Sequence, residues 1–295
     1  MTSWSKLEEQ SAQVLVKLAL EEDLGQQGDI TTDILIGAEW RGTACIIARR
    51  AGVICGRRLA EIVLGRLDPG AEIHWDCEDG SKVSAGTKIG QVRAQVRALL
   101  SAERTALNFL QKLSGVATLT QQYVQAIDGL PCVILDTRKT TPGWRVLEKY
   151  AVRCGGGQNH RRGLYDGILI KDNHLAALRE RGQDLAYALR QIRLRLTSCF
   201  PIEIEAENLE QVAQALQEGA DIILLDNMPL DMLRQAVELR NRLAPRVLLE
   251  ASGGITLENV RAVAETGVDR ISIGALTHSA PALDLAFEFL GCREH

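Results

Sequence analysis

Several short apolar runs in this chain stop at residues able to do chemistry. Residues 132–135 lead into Asp136-Thr-Arg138-Lys139-Thr-Thr141, and residues 167–170 into Lys171-Asp172-Asn173-His174. The run 202–206 contains Glu203 and Glu205, and 221–225 leads into Asp226-Asn227. Residues 247–249 precede Glu250-Ala-Ser252-Gly253-Gly254, and 270–273 precede Gly274-Ala275. Between the first two runs lies Arg153-Cys-Gly155-Gly156-Gly157-Gln-Asn159-His160-Arg161. The charges separate by sign: Arg138, Lys139, Lys171 and Arg161 are cationic, whereas Glu205 and Asp226 are acidic. Arginine forks match carboxylate and phosphate in bidentate fashion, and glycine loops let backbone N–H groups approach a phosphate. The set suits a substrate with several anionic groups, together with a metal or hydroxyls held by the two acids. Any one polar residue at a strand end is ordinary solvation. Charges and amides crowded into so many of these windows are not explained that way.

The glycines of Ser252-Gly253-Gly254 and Gly274-Ala275 come last in the series, where barrels often build a phosphate site. A Gly-Gly pair alone is weak, because turns use it freely. No G-x-x-x-x-G-K-[ST] sequence occurs, so a P-loop is not supported. Lys139 or Lys171 could instead form an imine, as in barrel aldolases, with a cationic neighbour such as Arg138 favouring the free amine. His160 and His174 are each readable as a general base, a donor or a structural histidine; His74, His278 and His295 are read as non-catalytic.

The elements that position these residues follow from periodicity. Helical spacing covers residues 5–24, a stretch near 57–66 and Ser101–Leu113, with Gly115 read as a C-cap. Residues 25–32 read as a loop, and residues 40–98 as a small sheet with turn clusters. From about residue 131, strand-length runs alternate with helical segments at 176–196, 208–218, 229–243 and 256–266. That alternation implies an α/β fold with a parallel sheet and right-handed crossovers. The strands that can be named fall short of eight, so an incomplete barrel is expected, with an open doubly wound sheet as the alternative.

Composition removes other classes. The chain has 295 residues, 46% apolar and 24% charged, enough for one or two domains with a real core. A net charge of −4 argues against a nucleic-acid protein. The polar, acidic start is not a secretory signal, and no apolar run is long enough to cross a membrane. Seven cysteines without a C-x-x-C pair fit reduced thiols in a cytoplasmic protein rather than disulfides or zinc.

These segments, in this order, resemble the quinolinate phosphoribosyltransferase family. The resemblance runs from about residue 21 to 280. It is carried by Glu22-Asp23-Leu-Gly25, Gly28-Asp29-Ile-Thr31, Ala102-Glu103-Arg104-Thr105-Ala-Leu-Asn108 and Glu148-Lys149-Tyr150 besides the segments above, and is most specific in Thr137–Gly143 and Lys171–His174. It implies an N-terminal α/β sandwich over residues 1–116, to which the tail 278–295 returns, and an open, incomplete α/β barrel over 117–277. It implies transfer of a phosphoribosyl group from 5-phosphoribosyl 1-diphosphate to quinolinate, with Mg2+ and loss of CO2. It also implies a homodimer or larger assembly with shared active sites. By the same resemblance, Arg138, His160 and Arg161 form the quinolinate carboxylate cage, with Arg104 supplied by the partner subunit. Lys139 and Lys171 are ligands for carboxylate, phosphate or diphosphate oxygens. Glu205 and Asp226 hold ribose hydroxyls and the metal region, and Ser252, Gly253, Gly254 and Gly274 cradle the 5′-phosphate. Gln158 and Arg162 depart from residues frequent in the family. A relative with a changed pyridine base, or a barrel that binds without turnover, are the competing readings.

Overall fold

Residues spaced for a helix from the very start form one: α1 (Lys6–Leu24) opens on a capping box between Ser5 and Glu8. The computed structural model describes residues 4–195 and 200–293. Cys199, His295 and the last residue of the helix expected to end at 196 lie outside the described residues.

The chain divides into two compact units. The first comprises residues 1–121, 139–157 and 275–295. After α1 come α2 (Ile30–Leu35), β1 (Arg41–Ala48), β2 (Gly52–Val53), α3 (Arg57–Leu67), β3 (Glu72–Trp75), β4 (Lys82–Val83) and β5 (Lys88–Gln95). The long helix α4 (Val96–Ala126) follows, and α5 (Arg145–Cys154) completes the helices needed here. The strand Leu285–Arg293 near the C-terminus pairs antiparallel with β1, which pairs in turn with β5 and β5 with β3. The tail therefore returns to the first sheet. The stretch 139–157 also belongs to this unit, whereas a single cut at 116/117 assigns it to the barrel.

Two local expectations are corrected, and one helix is added. Residues 30–35 are helical rather than looped: Asp29 caps α2 by accepting from the Thr32 amide at 3.0 Å. Residues 145–154 form a helix that was not foreseen. Gly115 does not end a helix, because α4 runs on through it. A Cβ there would stand 2.1 Å from the Pro281 carbonyl oxygen, so the glycine lets the returning tail cross the helix backbone.

The second unit, residues 122–138 and 158–274, holds a parallel six-stranded sheet. Its strands are β6 (Val133–Leu135), β7 (Ile168–Ile170), β8 (Ile202–Ala206), β9 (Ile222–Asp226), β10 (Leu248–Ser252) and β11 (Arg270–Ser272). They lie in the order β6-β11-β10-β9-β8-β7, so β6 and β7 are edges and the barrel is open. The crossovers carry α6 (Asp172–Arg179), α7 (Leu185–Arg195), α8 (Leu209–Gln217), α9 (Leu230–Leu243) and α10 (Val260–Ala264). The segment read as a single helix over 176–196 is thus two, parted at Gly182, whose φ of +68° favours glycine. Buried Ile204, Ile223, Leu225, Leu249 and Ile271 supply the apolar side of the sheet.

Candidate active site

Side chains alternate along a strand, and residues paired across parallel strands share a face. Glu205 pairs with Leu224, Leu224 with Glu250, and Glu250 with Arg270. Steps of two along the strands add Glu203, Asp226, Ser252 and Ser272 to that face. Lys171 continues the same alternation from β7, and its Nζ reaches Glu205 Oε2 at 2.8 Å. One face of the sheet therefore gathers almost all of its charge, and Glu203, Glu205 and Glu250 are buried.

The cations above this face are set by a short segment at the sheet's open edge. Gln158 bridges to Leu135 beside β6. The buried carboxylate of Asp136, just past β6, accepts from Asn159 Nδ2 at 2.7 Å and from the His160 amide at 2.8 Å. Arg161 Nη1 donates to the Gly167 carbonyl, one residue before β7, at 3.1 Å. Residues 158–161 thus run from one edge strand to the approach of the other. Burial lowers the Arg161 pKa, and the charge of Arg138 lowers it further, against the opposing pull of Glu203 and Asp166. Two neighbouring guanidiniums make a natural seat for an anion.

His160, expected in the carboxylate cage, has both ring nitrogens against protein groups. Nε2 lies 2.9 Å from Glu203 Oε2 and 3.5 Å from Glu250 Oε1, while Nδ1 accepts the Arg161 amide at 2.8 Å. Arg270 Nε stands 3.2 Å from Glu250 Oε2. Burial disfavours the charged imidazole, but the Glu203 contact and both acids favour it more, and the net shift is upward. Glu250 is pushed up to about 7, first by burial and then by the nearness of Glu203. Asp136, Glu203, Glu250 and Arg270 were not assigned to the site from sequence. Strand alternation could have found two of them, since Glu203 stands two residues before Glu205 and Glu250 two before Ser252.

At the end of β9 and β10 the chain becomes a glycine cradle. Asn227 has φ +53°, rare for a side-chain-bearing residue, and its amide nitrogen donates to the Ser252 carbonyl at 2.8 Å. Its side chain donates to Asp226 Oδ2 at 2.9 Å. Gly253 has φ +88°, and a Cβ on it would sit 2.2 Å from Asn227 Oδ1. Asn227 and Gly253 therefore interlock, tying the acid at one strand end to the glycines at the next. Beside them a cavity of 310 Å³ is lined by Asn227, Ser252, Gly253, Gly254 and Asn259, among others. Gly274 immediately follows Ile273, whose amide donates to the Leu135 carbonyl at 2.9 Å.

Arg138, His160, Arg161, Lys171, Glu205, Asp226, Ser252, Gly253, Gly254 and Gly274 all belong to the second unit. Lys139 and Arg104 belong to the first. Thr277 Oγ1 donates to the Lys139 carbonyl at 2.7 Å, and Glu148 accepts from the Thr141 amide and hydroxyl at 3.0 and 2.8 Å, so this loop is firmly held. Arg104 is exposed on α4 beside Glu103. His174 Nδ1 accepts the Lys171 amide at 2.9 Å and so caps α6. Lys171 is ion-paired to Glu205, and an ion-paired ammonium has no lone pair for imine formation, so the aldolase reading loses ground.

Two family models cover the chain: the quinolinate phosphoribosyl transferase N-terminal domain matches residues 29–114, and the C-terminal domain residues 116–288. A nicotinate-nucleotide pyrophosphorylase (carboxylating) of Mycobacterium leprae is 43% identical over 286 residues, covering 96% of this chain and 99% of the relative. A quinolinate phosphoribosyltransferase (decarboxylating) of Nicotiana tabacum, described as mitochondrial, is 41% identical and covers 93% of this chain and 81% of its own. Among solved structures, the nicotinate-nucleotide pyrophosphorylase of Francisella tularensis is similar at a TM-score of 0.89 and 39% identity, over 98% of both chains.

Proposed function

The chain belongs to the quinolinate phosphoribosyltransferase family, and from that premise we infer that it joins quinolinate to 5-phosphoribosyl 1-diphosphate. The products are nicotinate mononucleotide, diphosphate and CO2, the de novo entry into NAD. The observation that carries the reading is the Arg138–Arg161 pair, two neighbouring guanidiniums of which Arg161 has its charge opposed by burial and by Arg138, so that an anion between them is favoured. Quinolinate brings two adjacent carboxylates. Lys171 then takes remaining anionic oxygens, and the Ser252–Gly254 and Gly274 backbone takes the 5′-phosphate; Lys139 keeps the ligand role that the family resemblance gives it.

The chemistry asks the protein chiefly for orientation and charge. The pyridine nitrogen attacks C1′ of the ribosyl group, and the C–O bond to diphosphate breaks with its electrons going to diphosphate. Cations around the site offset the repulsion between two anionic substrates and stabilise the departing group. The ring nitrogen is positive once ribosylated. It therefore stabilises the negative charge left at C2 when the carboxylate leaves as CO2, and a proton from solvent completes the product. Glu205 and Asp226 are hard oxygen donors on neighbouring strands, in keeping with Mg2+ held jointly with substrate oxygens. Among the described residues these two acids do not belong to a cluster of three potential ligands, so substrate oxygens and water would complete the shell. When bound, Mg2+ neutralises the diphosphate leaving group.

Two further assignments belong to the same reading. A homodimer, or a larger assembly built from it, is supported by the exposed apolar residues Val14, Leu18, Ile34 and Leu35 on α1 and α2, and Arg104 on α4 then reaches the partner's site. A cytoplasmic location is supported by the free cysteines among the described residues. No described helix is long and apolar enough to cross a membrane. Calorimetric titration tests the reading of the arginine pair: quinolinate binds on the order of tenfold or more tighter than nicotinate. Equal affinity for the two would remove the arginine pair from the role given to it.

A further inference from the structure

Beneath the two arginines lies buried charge for which the reaction just described has no use. Glu250 has no exposed surface and Glu203 is 4% exposed. Oε1 of Glu203 has no hydrogen-bond donor, and Glu250 has only the Arg270 ion pair, the Ser272 side chain and the His160 ring at 3.5 Å. Burying two carboxylates together is costly, more so with oxygens left short of donors, and apolar residues would fill the space at less cost.

The His160 ring connects this charge to the arginines. The Arg161 amide donates to Nδ1, which leaves that nitrogen unprotonated and the ring neutral in this arrangement despite the pull of the two acids, and a neutral imidazole has one donor and one acceptor nitrogen. Nδ1 accepts the Arg161 amide, so Nε2 carries the proton, and Nε2 faces Glu203 and Glu250. No ring N–H remains for a ligand carboxylate. No lone pair remains on Nε2 for a metal ion either, although His160, Glu203 and Glu250 bring their ligand atoms within 4.8 Å of one another. What the ring does in this arrangement is transmit position. Carboxylates on β8 and β10 fix its plane and tautomer, and its far edge fixes the Arg161 backbone. Arg270, paired with Glu250 across β10 and β11, holds that acid in turn. Glu203 also places negative charge close to Arg161, opposing the effects of burial and Arg138.

We propose that Glu203 and Glu250, with Arg270 behind them, are positioning residues for the arginine pair: acting through the His160 ring, they hold Arg161 where it and Arg138 together take a two-carboxylate ligand. The proposal rests on the reading that Arg138 and Arg161 bind the carboxylates of quinolinate.

The test uses the full-length protein and the isosteric variant Glu203→Gln, with quinolinate affinity by calorimetry beside steady-state kinetics. The expected result is an increase of about tenfold in Kd and KM for quinolinate, the scale on which outer partners of a site act. KM for 5-phosphoribosyl 1-diphosphate stays within about twofold. In an Arg161→Lys background the same substitution adds less than about twofold, because its route to the ligand is already broken. Glu203→Asp, which keeps the charge, recovers part of the loss. Equal changes in both KM values, or full additivity with Arg161→Lys, would overturn the proposal. So would a stoichiometric metal ion on the wild-type protein that Glu203→Gln abolishes. Wild-type protein that binds quinolinate without turning it over, with binding weakened by Glu203→Gln, would sustain the positioning role and remove the proposed reaction. Wild-type protein that does not bind quinolinate removes both.

Discussion

Single residues carry the recognition, and two substitutions probe it from opposite sides. Arg138→Ala strips a charged partner from a desolvated carboxylate, and the expected loss of kcat/KM corresponds to about 3–5 kcal/mol. Steady-state assays giving a value within threefold of wild type would contradict the carboxylate cage. Glu250 probes the buried acids instead. Its pKa lies near 7, raised from 4.5 by burial first and Glu203 second. A carboxyl whose folded-state pKa is raised takes up a proton on folding, so its contribution to stability falls as pH rises from about 4.5 to 7. Glu250→Gln removes that dependence. Relative to wild type the variant gains stability between pH 5 and pH 8, by at most about 3 kcal/mol, less whatever the unpaired Arg270 then costs. Thermal unfolding at both pH values measures the difference, and a pH-independent gap between the two proteins would show that Glu250 is not the titrating group. At this scale the sequence exposes the residues but not their partners. Arg138, Lys171 and Asp226 stand just after recognisable apolar runs, Glu205 lies within one, and Arg161 belongs to the glycine segment between two of them. That the ring of His160 turns away toward Glu203 depends on β8 and β10 lying on either side of β9, which spacing along the chain does not reveal.

At the scale of elements, the parallel strands were legible because each is a compact apolar run that stops at charged or polar residues or at glycine. The helices were less so. Residues 145–154 gave no helical signal because α5 is rich in Arg, Glu and Lys, and its buried face includes Glu148 and Lys149 as well as Leu147 and Tyr150. Gly115 looked like a helix end because a glycine after an apolar face usually is one. Its actual cause, the Pro281–Ala282 backbone crossing α4, is a contact between residues far apart in sequence. Gly115→Ala therefore forces backbone to move and destabilises by about 1–3 kcal/mol, although alanine is the better helix former. Chemical denaturation measures this, and a stabilised variant would mean that the tail does not pack on α4. The glycine cradle gives a paired prediction. Gly253→Ala meets both a positive φ and the Asn227 side chain, whereas Gly254→Ala, at φ +63°, meets nothing within 4 Å. KM for 5-phosphoribosyl 1-diphosphate rises more for Gly253→Ala than for Gly254→Ala, and the reverse order would dissociate the Asn227 interlock from phosphate binding.

At the scale of the whole molecule, the fold was readable as a β-rich first part and an open barrel, and the resemblance pointed to one reaction. The return of the tail followed from the resemblance, whereas the place of 139–157 in the first unit was not readable, because its composition does not mark where it packs. The shared-site reading makes a prediction here: Arg104→Ala and Lys171→Ala proteins, each inactive alone, regain partial activity after subunit exchange. Verified mixed dimers without activity would confine each site to one chain. The central claim is tested most directly by product analysis with purified protein, Mg2+ and 5-phosphoribosyl 1-diphosphate, comparing carboxyl-labelled quinolinate with nicotinate. The account predicts one equivalent of labelled CO2 for each nicotinate mononucleotide formed from quinolinate, and no product from nicotinate. Nicotinate mononucleotide made from nicotinate, or a ribosylated product that keeps both carboxylates, would contradict it.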